Sequence, residues 1–413
     1  MTEGAGDPRI ATLDVLRGVA VMGILTMNIV AFAMPEAAYA NPRAYGGDTG
    51  ADLVVYLINF VLFDTKMRGL FSLLFGASAL LVMERAEARR ANPDAAHYAR
   101  MAWLLVFGLL HLYLLWWGDI LHHYALVGLV LPLFRHWRPR LLILIGVALA
   151  AAQLMLLAVV PVDIAQLDLR LASARPASAT AIERRAEYEA NFGTPASSEI
   201  AKDLAAYRGS YADTVRFRAN MHATTPTLLL TFVGMETLSY MLIGMALLKT
   251  GMLRGNWPAA RYRRWALIGL GIGIPSYSAL GYYLVAAKFS AFAVALAVAT
   301  LSLPLRLPMI LGWASAVILF AGSRHWLVGR IAAAGRMAFT NYVMTSIVCT
   351  LFFYGYGLGF YGQLSRAQLY APVIIIWALI LAWSAPWLER HRYGPLEWLW
   401  RSAARARWQR WRR

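Results

Sequence analysis

The chain has 413 residues, of which 60% are hydrophobic and only 15% are charged, whereas about 25% of an ordinary soluble domain is charged. This composition, a mean hydropathy of +0.52 and long apolar blocks exclude a soluble globular protein and predict an all-α, polytopic helical membrane protein. The net charge of +17, from 39 Lys and Arg against 22 Asp and Glu, does not predict nucleic-acid binding, because the arginines lie in short runs between apolar blocks. The single cysteine, Cys349, lies in an apolar block, which excludes an intrachain disulfide framework and a cysteine metal site.

The amino-terminal region is expected to remain in the mature protein. Acidic Glu3 and Asp7 precede the first apolar block, and Asp14 and Arg17 interrupt it. This is not the pattern of a cleaved signal peptide, although Ala-x-Ala occurs at Ala38–Ala40.

Ten apolar blocks predict about ten transmembrane helices. A further block, Ala51–Phe63, is short and is followed by charged residues, so we expect an interfacial or re-entrant helix there. Phe289–Phe320 is predicted to cross once as a broken helix, because Pro304, Arg306 and Pro308 lie at its centre and the arginine must face protein or water. The ten blocks are Ala11–Met34, Gly69–Met83, Met101–Trp117, Ile120–Phe134, Leu141–Val160, Thr227–Leu248, Trp265–Val285, Phe289–Phe320, Met337–Tyr356 and Leu369–Leu388.

Five basic clusters alternate with the blocks and set the expected topology. With the amino terminus inside, all five fall on the cytoplasmic side of a bacterial inner membrane, and both termini are cytoplasmic. The clusters are Arg85, Arg89, Arg90 and Arg100; Arg135, Arg138 and Arg140; Lys249, Arg254, Arg261, Arg263 and Arg264; Arg324, Arg330 and Arg336; and the carboxyl-terminal tail.

One long polar segment, Asp163–His222, carries eight acidic and eight basic residues and is expected to be a largely helical periplasmic insert. The predicted organisation is therefore a five-helix membrane half (1–161), the insert (162–226), a second five-helix half (227–389) and a tail (390–413). Arginine interleaved with tryptophan in the tail indicates an interfacial helix on anionic lipid rather than a nucleic-acid site.

Ionisable groups inside a bilayer cost at least ~2.5 kcal/mol each on the insertion scale, so they face the bundle interior or a cavity. Asp14, Arg17 and Asn28 fall within a stripe of roughly 60° on one helix. This stripe is either a cavity wall, with Arg17 able to meet a phosphate, or an Asp14–Arg17 pair that satisfies itself. Lys66 and Arg68, next to the short block, are further candidates for substrate binding.

A second group of candidates follows the third block. His111 is succeeded by Asp119, His122, His123 and Tyr124. An imidazole with a carboxylate that fixes its tautomer can accept a proton from a hydroxyl or amine. The alternatives are a packing histidine and an aspartate that caps the next helix. No metal site is expected, because adjacent histidines point to different sides of a helix.

Two polar groups lie in the carboxyl-terminal blocks. Glu236 needs a partner at its depth, for which His111 is the expected residue, as catalytic orienter or as part of a proton relay. Asn341, Tyr342, Thr345 and Ser346 form a polar face that either makes interhelical hydrogen bonds or is part of a substrate site, and Asn341 is its candidate for substrate binding.

Several stretches resemble the YeiB-like bacterial membrane proteins. They are RIATLDVLRG from Arg9 with GILTMN to Asn28, KMRGLFSLLFG from Lys66, GLLHLYLLWWGDIL from Gly108 and YAL from Tyr124. The stretches GRMAFTNY from Gly335, FYGYGLG from Phe353 and RYGPLEWLWR from Arg392 resemble that family's carboxyl-terminal domain of unknown function 418.

The Leu-Asp-x-Leu-Arg-Gly opening is more distantly similar to the transmembrane acyltransferases that include heparan-alpha-glucosaminide N-acetyltransferase. That resemblance implies acyl transfer across the membrane from cytoplasmic acyl-CoA, and it carries over to Asp14, Arg17, Gly18 and Asn28. The relatives' catalytic histidine lies in the loop after their equivalent of Asn28. Residues 29–64 hold no histidine here, so the base is expected at His111.

With this resemblance, the first hypothesis is an inner-membrane acyltransferase without a metal. Acyl-CoA is its donor substrate, a small-molecule acceptor arrives from the periplasmic side, His111 is the base oriented by Asp119 or Glu236, and Asn28 donates to the oxyanion. The alternative is a proton-coupled transporter or flippase that uses Asp14, Arg17, His111 and Glu236. The lipid bilayer is a partner in either case, nucleic acid is not, and a homo-oligomer is left open.

Overall fold

The computed structural model describes residues 11–173 and 178–413. Glu3, Asp7, Arg9 and the four residues 174–177 of the insert lie outside this range. The described residues form seventeen α-helices and no β-strand, apart from an isolated bridge between His391 and Arg412. The helices are α1 (Ala11–Ala33), α2 (Gly50–Leu62), α3 (Lys66–Ala88), α4 (Pro93–Leu110), α5 (Leu121–Gly128), α6 (Pro139–Ser173), α7 (Ala179–Phe192), α8 (Ser197–Arg208), α9 (Tyr211–Met221), α10 (Thr225–Lys249), α11 (Ala259–Ala286), α12 (Ala291–Val294), α13 (Leu303–Ala321), α14 (Trp326–Arg336), α15 (Ala338–Phe353), α16 (Tyr370–Arg390) and α17 (Pro395–Ala404).

Within the described residues, eight helices are long and apolar enough to cross a membrane. They include α1, α6, α10, α11, α13 and α16, together with α4 extended by the π-helical turn His111–Leu115 and α2 counted together with α3. The outward side chains of α6, such as Leu144, Met155 and Leu169, are apolar and more than 60% exposed, as lipid-facing residues are. The protein is therefore an all-α polytopic membrane protein, as the sequence predicts.

The two remaining predicted crossings are shorter than a full span. The block Ile120–Phe134 contains α5, which has only eight residues and is about 12 Å long, followed by a 3₁₀ turn at Leu131–Phe134. The block Met337–Tyr356 contains α15, with sixteen residues. Hydrophobicity alone does not report where an apolar block stops being helical, and this is why ten blocks become eight long helices and two shorter ones.

Two helices are interrupted inside the bundle. Between α2 and α3 the chain turns at Thr65, whose φ of +58° lies in the left-handed region that few non-glycine residues adopt. The predicted interfacial helix, α2, thus leads directly into α3. Phe289–Phe320 is broken, but ahead of the predicted point: the π-helical segment Ala295–Leu301 lies between α12 and α13, and α13 is continuous through Pro304, Arg306 and Pro308. Arg306 follows this break and is only 5% exposed, so it faces protein as predicted.

The two predicted membrane halves form one bundle. α10 packs against both α3 and α6, and glycines permit the closest approach. A side chain at Gly76 would collide with the backbone of Met241, and one at Gly244 with the backbone of Leu73. α6 has 35 residues and runs through the predicted domain boundary at 161/162.

The bundle has two distinct ends. The insert helices α7, α8 and α9 cover one end, which we call the insert side; there the carboxyl end of α1 meets α8 through the Glu36 N–H and Asp203. The opposite end, the basic side, holds the basic clusters. Their contacts include Arg254 with Glu84 (3.5 Å) and Trp400 Nε1 with the carbonyl of Arg100 (2.9 Å).

The carboxyl-terminal tail is folded against the basic side. Its helix α17 has ten residues, and the Glu397 carboxylate accepts the backbone N–H groups of Phe339 and Thr340 at 2.7 and 3.1 Å, which caps α15. Trp411 returns to pack against Trp387. The tail is therefore a docked element rather than one continuous interfacial helix.

Candidate functional site

A cavity of about 750 Å³ lies beneath the insert, within the range typical of small-molecule sites. Its walls come from α1, the Trp116–Ile120 loop and the break between α2 and α3, and its cover comes from the insert helices. Asn28 and Arg68 are the sequence-predicted site residues that line it. Asn28 makes no hydrogen bond to the described residues, so its amide is available to a bound molecule.

A buried ion cluster joins the cavity wall to the centre of the bundle. The two carboxylate oxygens of Glu236 bind different arginines, Oε2 with Arg68 Nη2 and Oε1 with Arg306 Nη1, both at 2.9 Å. Tyr240 donates to Oε1 at 2.8 Å, and the guanidinium of Arg306 also contacts Ser302. The expected pairing of Glu236 with His111 is therefore wrong: two cations occupy the carboxylate, as a charge desolvated to 2% exposure requires.

Lys66 lies at the break between α2 and α3 and does not line either cavity. Its fully buried ammonium donates to the carbonyl of Phe60, near the carboxyl end of α2, and lies 3.2 Å from the ring centroid of Tyr277. A cation is favoured at the carboxyl end of a helix and over an aromatic face. This lysine therefore stabilises the break. The neighbouring Asp64 lines a second, smaller cavity of about 210 Å³ that shares Arg68 with the first.

His111 and Asp119 are brought together. His111 Nδ1 lies 2.9 Å from Asp119 Oδ1, with the ring turned so that its N–H does not point straight at the oxygen. The other oxygen, Oδ2, accepts the ring Nδ1 and the backbone N–H of His122 at 2.7 and 2.9 Å. Asp119 thus lies against two imidazoles and caps α5 through the N–H of His122, whereas the role of the pair as a base stays a prediction.

The second nitrogen of His111 has its partner on the polar face of the ninth block. Nε2 lies 2.9 Å from the hydroxyl of Ser346 on α15. His111 does not line the cavity, but its ring centroid lies 6.4 Å from that of Trp116, which does. One indole ring therefore separates this cluster from the cavity.

The other histidine and tyrosine candidates have structural partners. His123 Nε2 lies 2.9 Å from the Thr237 hydroxyl on α10. The Tyr124 hydroxyl lies 2.8 Å from that of Ser72 and donates to the carbonyl of Arg68 at 3.1 Å. These bonds hold α5 against α3 and α10, and they position Arg68.

The remaining candidates lie away from the cavity. Arg17 pairs with Asp14 at 3.1 Å and donates to the carbonyl of Gly335 at 3.3 Å, which fits the alternative of a self-satisfied pair on the basic side. The Asn341 amide donates to Ala334 and Ser384, and its oxygen accepts the indole of Trp383; this is interhelical hydrogen bonding. Of Asp14, Arg17, Asn28, His111 and Glu236, only Asn28 lines the larger cavity.

The covered end of the cavity carries titratable groups that the sequence analysis missed. Limited hydration, and next the nearby Asp203 charge, raise the pKa of Glu36 to about 7; limited hydration likewise raises the pKa of Asp203 to about 6. Burial, with the Arg218 charge, lowers the pKa of His222 to about 4, and this neutral ring stacks on Trp117. All three groups line the cavity. A polar insert gives no signal of which of its residues face inward, so Asp203 and His222 could not be selected beforehand.

The described residues contain no group of three or more His, Cys, Asp and Glu side chains arranged to hold a metal ion. What the arrangement offers instead is an amide and a guanidinium on the cavity wall, the titratable groups Glu36, Asp203 and His222 at the covered end, and a buried imidazole–carboxylate pair nearby. Such a site suits an amphipathic molecule with a polar or anionic end.

Comparison with known proteins places the chain in a family. Residues 247–407 match the family described as "Protein of unknown function (DUF418)". The chain is 33% identical to "Uncharacterized protein YxaH" of Bacillus subtilis (strain 168) over 97% of its length and 95% of the relative. It is 32% identical to "Uncharacterized protein YeiB" of Escherichia coli (strain K12), over 95% of each chain. The chain belongs to the YeiB-like DUF418 family.

A third relative, "Uncharacterized 39.9 kDa protein in amylase 3'region" of Bacillus acidopullulyticus, is 24% identical over 96% of the chain and 93% of the relative. No solved structure matches the chain. In this YeiB-like DUF418 protein the matched carboxyl-terminal region supplies Arg306 and Ser346, whereas Arg68, His111 and Asp119 precede it. Both clusters therefore depend on residues from outside and inside the DUF418 region.

Proposed function

We propose that this protein is a membrane acyltransferase that moves an acyl group from cytoplasmic acyl-CoA to an acceptor bound in the cavity beneath the insert. The observation that carries the proposal is the buried His111–Asp119 pair next to that cavity. An imidazole can act as a general base when one ring nitrogen lies within hydrogen-bonding reach of a hydroxyl and the other lies against a carboxylate. His111 has both partners at 2.9 Å.

The residues of the cavity wall are suited to bind the acceptor. Arg68 offers a cation for an anionic group, and Trp116 and Trp117 offer flat apolar surfaces. Asn28 is the donor proposed for the oxyanion that develops on the acyl carbon. The arginines of the basic side provide the attraction for the CoA phosphates.

The experiment uses membranes containing the full chain, radiolabelled acetyl-CoA and longer acyl-CoAs, and a lipid and glycan extract as acceptor. His111→Asn is expected to lower transfer by about 10²- to 10⁴-fold at equal folded protein, because a general base typically contributes that much. The matched control is His97→Asn. His97 is equally buried, but its ring binds the carbonyl of Gly128 at 2.8 Å on the basic side, so this variant should keep its turnover per folded molecule.

Unchanged transfer in His111→Asn removes this residue from the mechanism. Absence of CoA-dependent transfer by the unaltered protein, with every donor and acceptor fraction, rejects the acyltransferase.

A specific observation favours transport as a second candidate. Both interrupted helices meet the same ion cluster, since Arg68 follows the break before α3 and Arg306 follows the π-helical break. Discontinuous helices around charged groups within the membrane are typical of secondary transporters. Reconstitution in vesicles without CoA distinguishes the two: translocation of labelled lipid or solute that Glu236→Gln abolishes would support transport.

A further inference from the structure

Three side chains from separate elements lie next to one another inside the bundle. The Ser346 hydroxyl on α15 lies 2.9 Å from His111 Nε2 in the π-helical turn, and His111 Nδ1 lies 2.9 Å from Asp119 in the loop before α5. We propose that Ser346 is a nucleophile activated by His111 and Asp119, and that it carries the acyl group covalently between donor and acceptor. This inference rests on the proposed acyltransferase function.

Geometry and role identify a serine–histidine–aspartate triad, whatever its order in the chain. Here all three side chains are at most 2% exposed, so their polarity is not explained by contact with water. His111 is fixed by Tyr342, whose ring centroid lies 5.1 Å away. It also begins a π-helical turn, a conformation that is frequent at functional sites.

The alternative is a structural serine that bonds only its own helix. Ser346 does lie within reach of the carbonyl of Tyr342, but at 3.2 Å, farther than His111 Nε2. Thr350, one turn further along α15, shows what a purely structural hydroxyl looks like: it is also buried, and it donates to the carbonyl of Ile347. The imidazole at hydrogen-bonding distance is what distinguishes Ser346.

The two carboxylate oxygens of Asp119 have different neighbours. Oδ2 of Asp119 is already satisfied by His122, whereas Oδ1 faces His111. An Nδ1–H held by this oxygen leaves Nε2 without a proton and able to accept one from the hydroxyl. The bent approach of Nδ1 to Oδ1 is no obstacle, because catalytic hydrogen bonds are often poorly aligned until substrate binds.

The reaction has two balanced steps. In the first, Ser346 Oγ attacks the thioester carbonyl carbon while its proton passes to His111 Nε2; the C–S bond then breaks, and the CoA sulfur leaves as a thiol with that proton. In the second, an acceptor hydroxyl or amine gives its proton to Nε2 and attacks the seryl ester. The C–O bond to Ser346 breaks, and Oγ regains the proton.

A covalent intermediate suits the position of the triad. Trp116 makes an edge-to-face contact with His111 and also lines the cavity. Because the acyl group is held on the protein between the steps, donor and acceptor need not be bound at the same time. The CoA can therefore leave before the acceptor arrives from the insert side.

The first test traps the intermediate. Membranes containing the protein are mixed with radiolabelled acetyl-CoA, quenched in denaturant, and analysed for label on the peptide containing Ser346. Ser346→Ala should lose the label and lower transfer by about 10²-fold or more, whereas the control Thr350→Ala should keep both. Transfer at the normal rate in folded Ser346→Ala overturns the nucleophile and leaves the acyltransferase intact.

A second variant addresses folding. Ser346→Cys, made in a Cys349→Ala background, keeps a nucleophile of similar size, and its acyl link becomes a thioester. The label should then be released by neutral hydroxylamine, which leaves the seryl ester of the starting protein in place. Label that resists neutral hydroxylamine in Ser346→Cys contradicts attachment at this residue.

A third measurement does not depend on acyl-CoA. A fluorophosphonate, which reacts with activated serines, should label the unaltered protein but neither Ser346→Ala nor His111→Asn. If no acyl-CoA supports transfer but this label appears, the proposed donor is wrong and the triad stands. If neither acyl nor fluorophosphonate label appears on Ser346, the triad is rejected.

Discussion

The carboxylate of Glu236 compensates the charges of two arginines inside the bundle, Arg68 and Arg306. Replacing it with glutamine leaves Arg68 and Arg306 close together without a counter-charge, and breaking a buried pair in this way typically costs about 3–5 kcal/mol. We expect Glu236→Gln to lower the midpoint of thermal unfolding in detergent markedly.

The matched control is Glu84→Gln, which removes the partner of Arg254 at an exposed pair 3.5 Å apart. Exposed pairs contribute about 0–1 kcal/mol, so this variant should unfold close to the starting protein. Equal stability of both variants would show that the Glu236 cluster does not hold the bundle together.

The contact between Glu36 and the insert is expected to respond to pH. The pKa values of about 7 for Glu36 and about 6 for Asp203 lie above their usual 4.5 and 3.8, so the docked state binds more protons than the released state between about pH 4 and 7. Stability of the contact therefore falls as pH rises through that window and is greatest below it. The protection factors of residues 199–208, which are hydrogen-exchange rates corrected for the intrinsic effect of pH, should be higher at pH 5 than at pH 8.

Asp203→Asn should flatten this pH dependence, because it removes one titrating group and the charge that acts on Glu36. An unaltered difference between pH 5 and pH 8 in that variant would assign the effect to other groups.

At the scale of helices, the close approach of α3 to α10 depends on two glycines, Gly76 and Gly244, which have no side chain. Gly244→Leu should disrupt the bundle, since the new side chain meets the backbone of Leu73 and backbone cannot move aside as a flexible side chain can. Overpacking typically costs about 1–3 kcal/mol and at times more. The yield of monodisperse protein and its unfolding temperature measure the effect.

Gly271→Leu in α11 is the control, because no atom lies within 4 Å of the added position. It should behave like the starting protein. Loss of folded protein in both variants would point to helix propensity or insertion rather than to the α3–α10 contact.

How far the sequence could predict the fold depends on what each signal reports. Hydropathy predicted the long helices, and the prolines and charge around Arg306 predicted a break, which lies just ahead of them. Hydropathy, proline and charge are all local properties of the sequence. The partner of Glu236 was missed because depth along a helix allows several candidates, and only the rotation of packed helices selects Arg68 and Arg306. Ser346 was placed on a polar face, but its pairing with His111 was not predicted, because a serine inside a helix most often bonds its own backbone.

The whole molecule has an expected orientation: insert outside, basic side and both termini in the cytoplasm. Since Cys349 is buried, single cysteines can report sidedness in a Cys349→Ala background. Ser198→Cys in the insert and Ser323→Cys beside Arg324 both replace exposed residues. A membrane-impermeant maleimide applied to intact spheroplasts should label the first and should label the second only after lysis; the reverse pattern inverts the topology.

The ammonium of Lys66 takes the position that a dissolved cation could otherwise occupy at the carboxyl end of α2. Helix ends that terminate within a membrane can recruit sodium or protons to their exposed carbonyls, whereas α2 ends on an ammonium that the same chain supplies from six residues further on. No ion must be captured from the medium at this point, and none can be lost to it. The conformation of the junction of α2 and α3 should therefore not depend on the salt concentration of the medium.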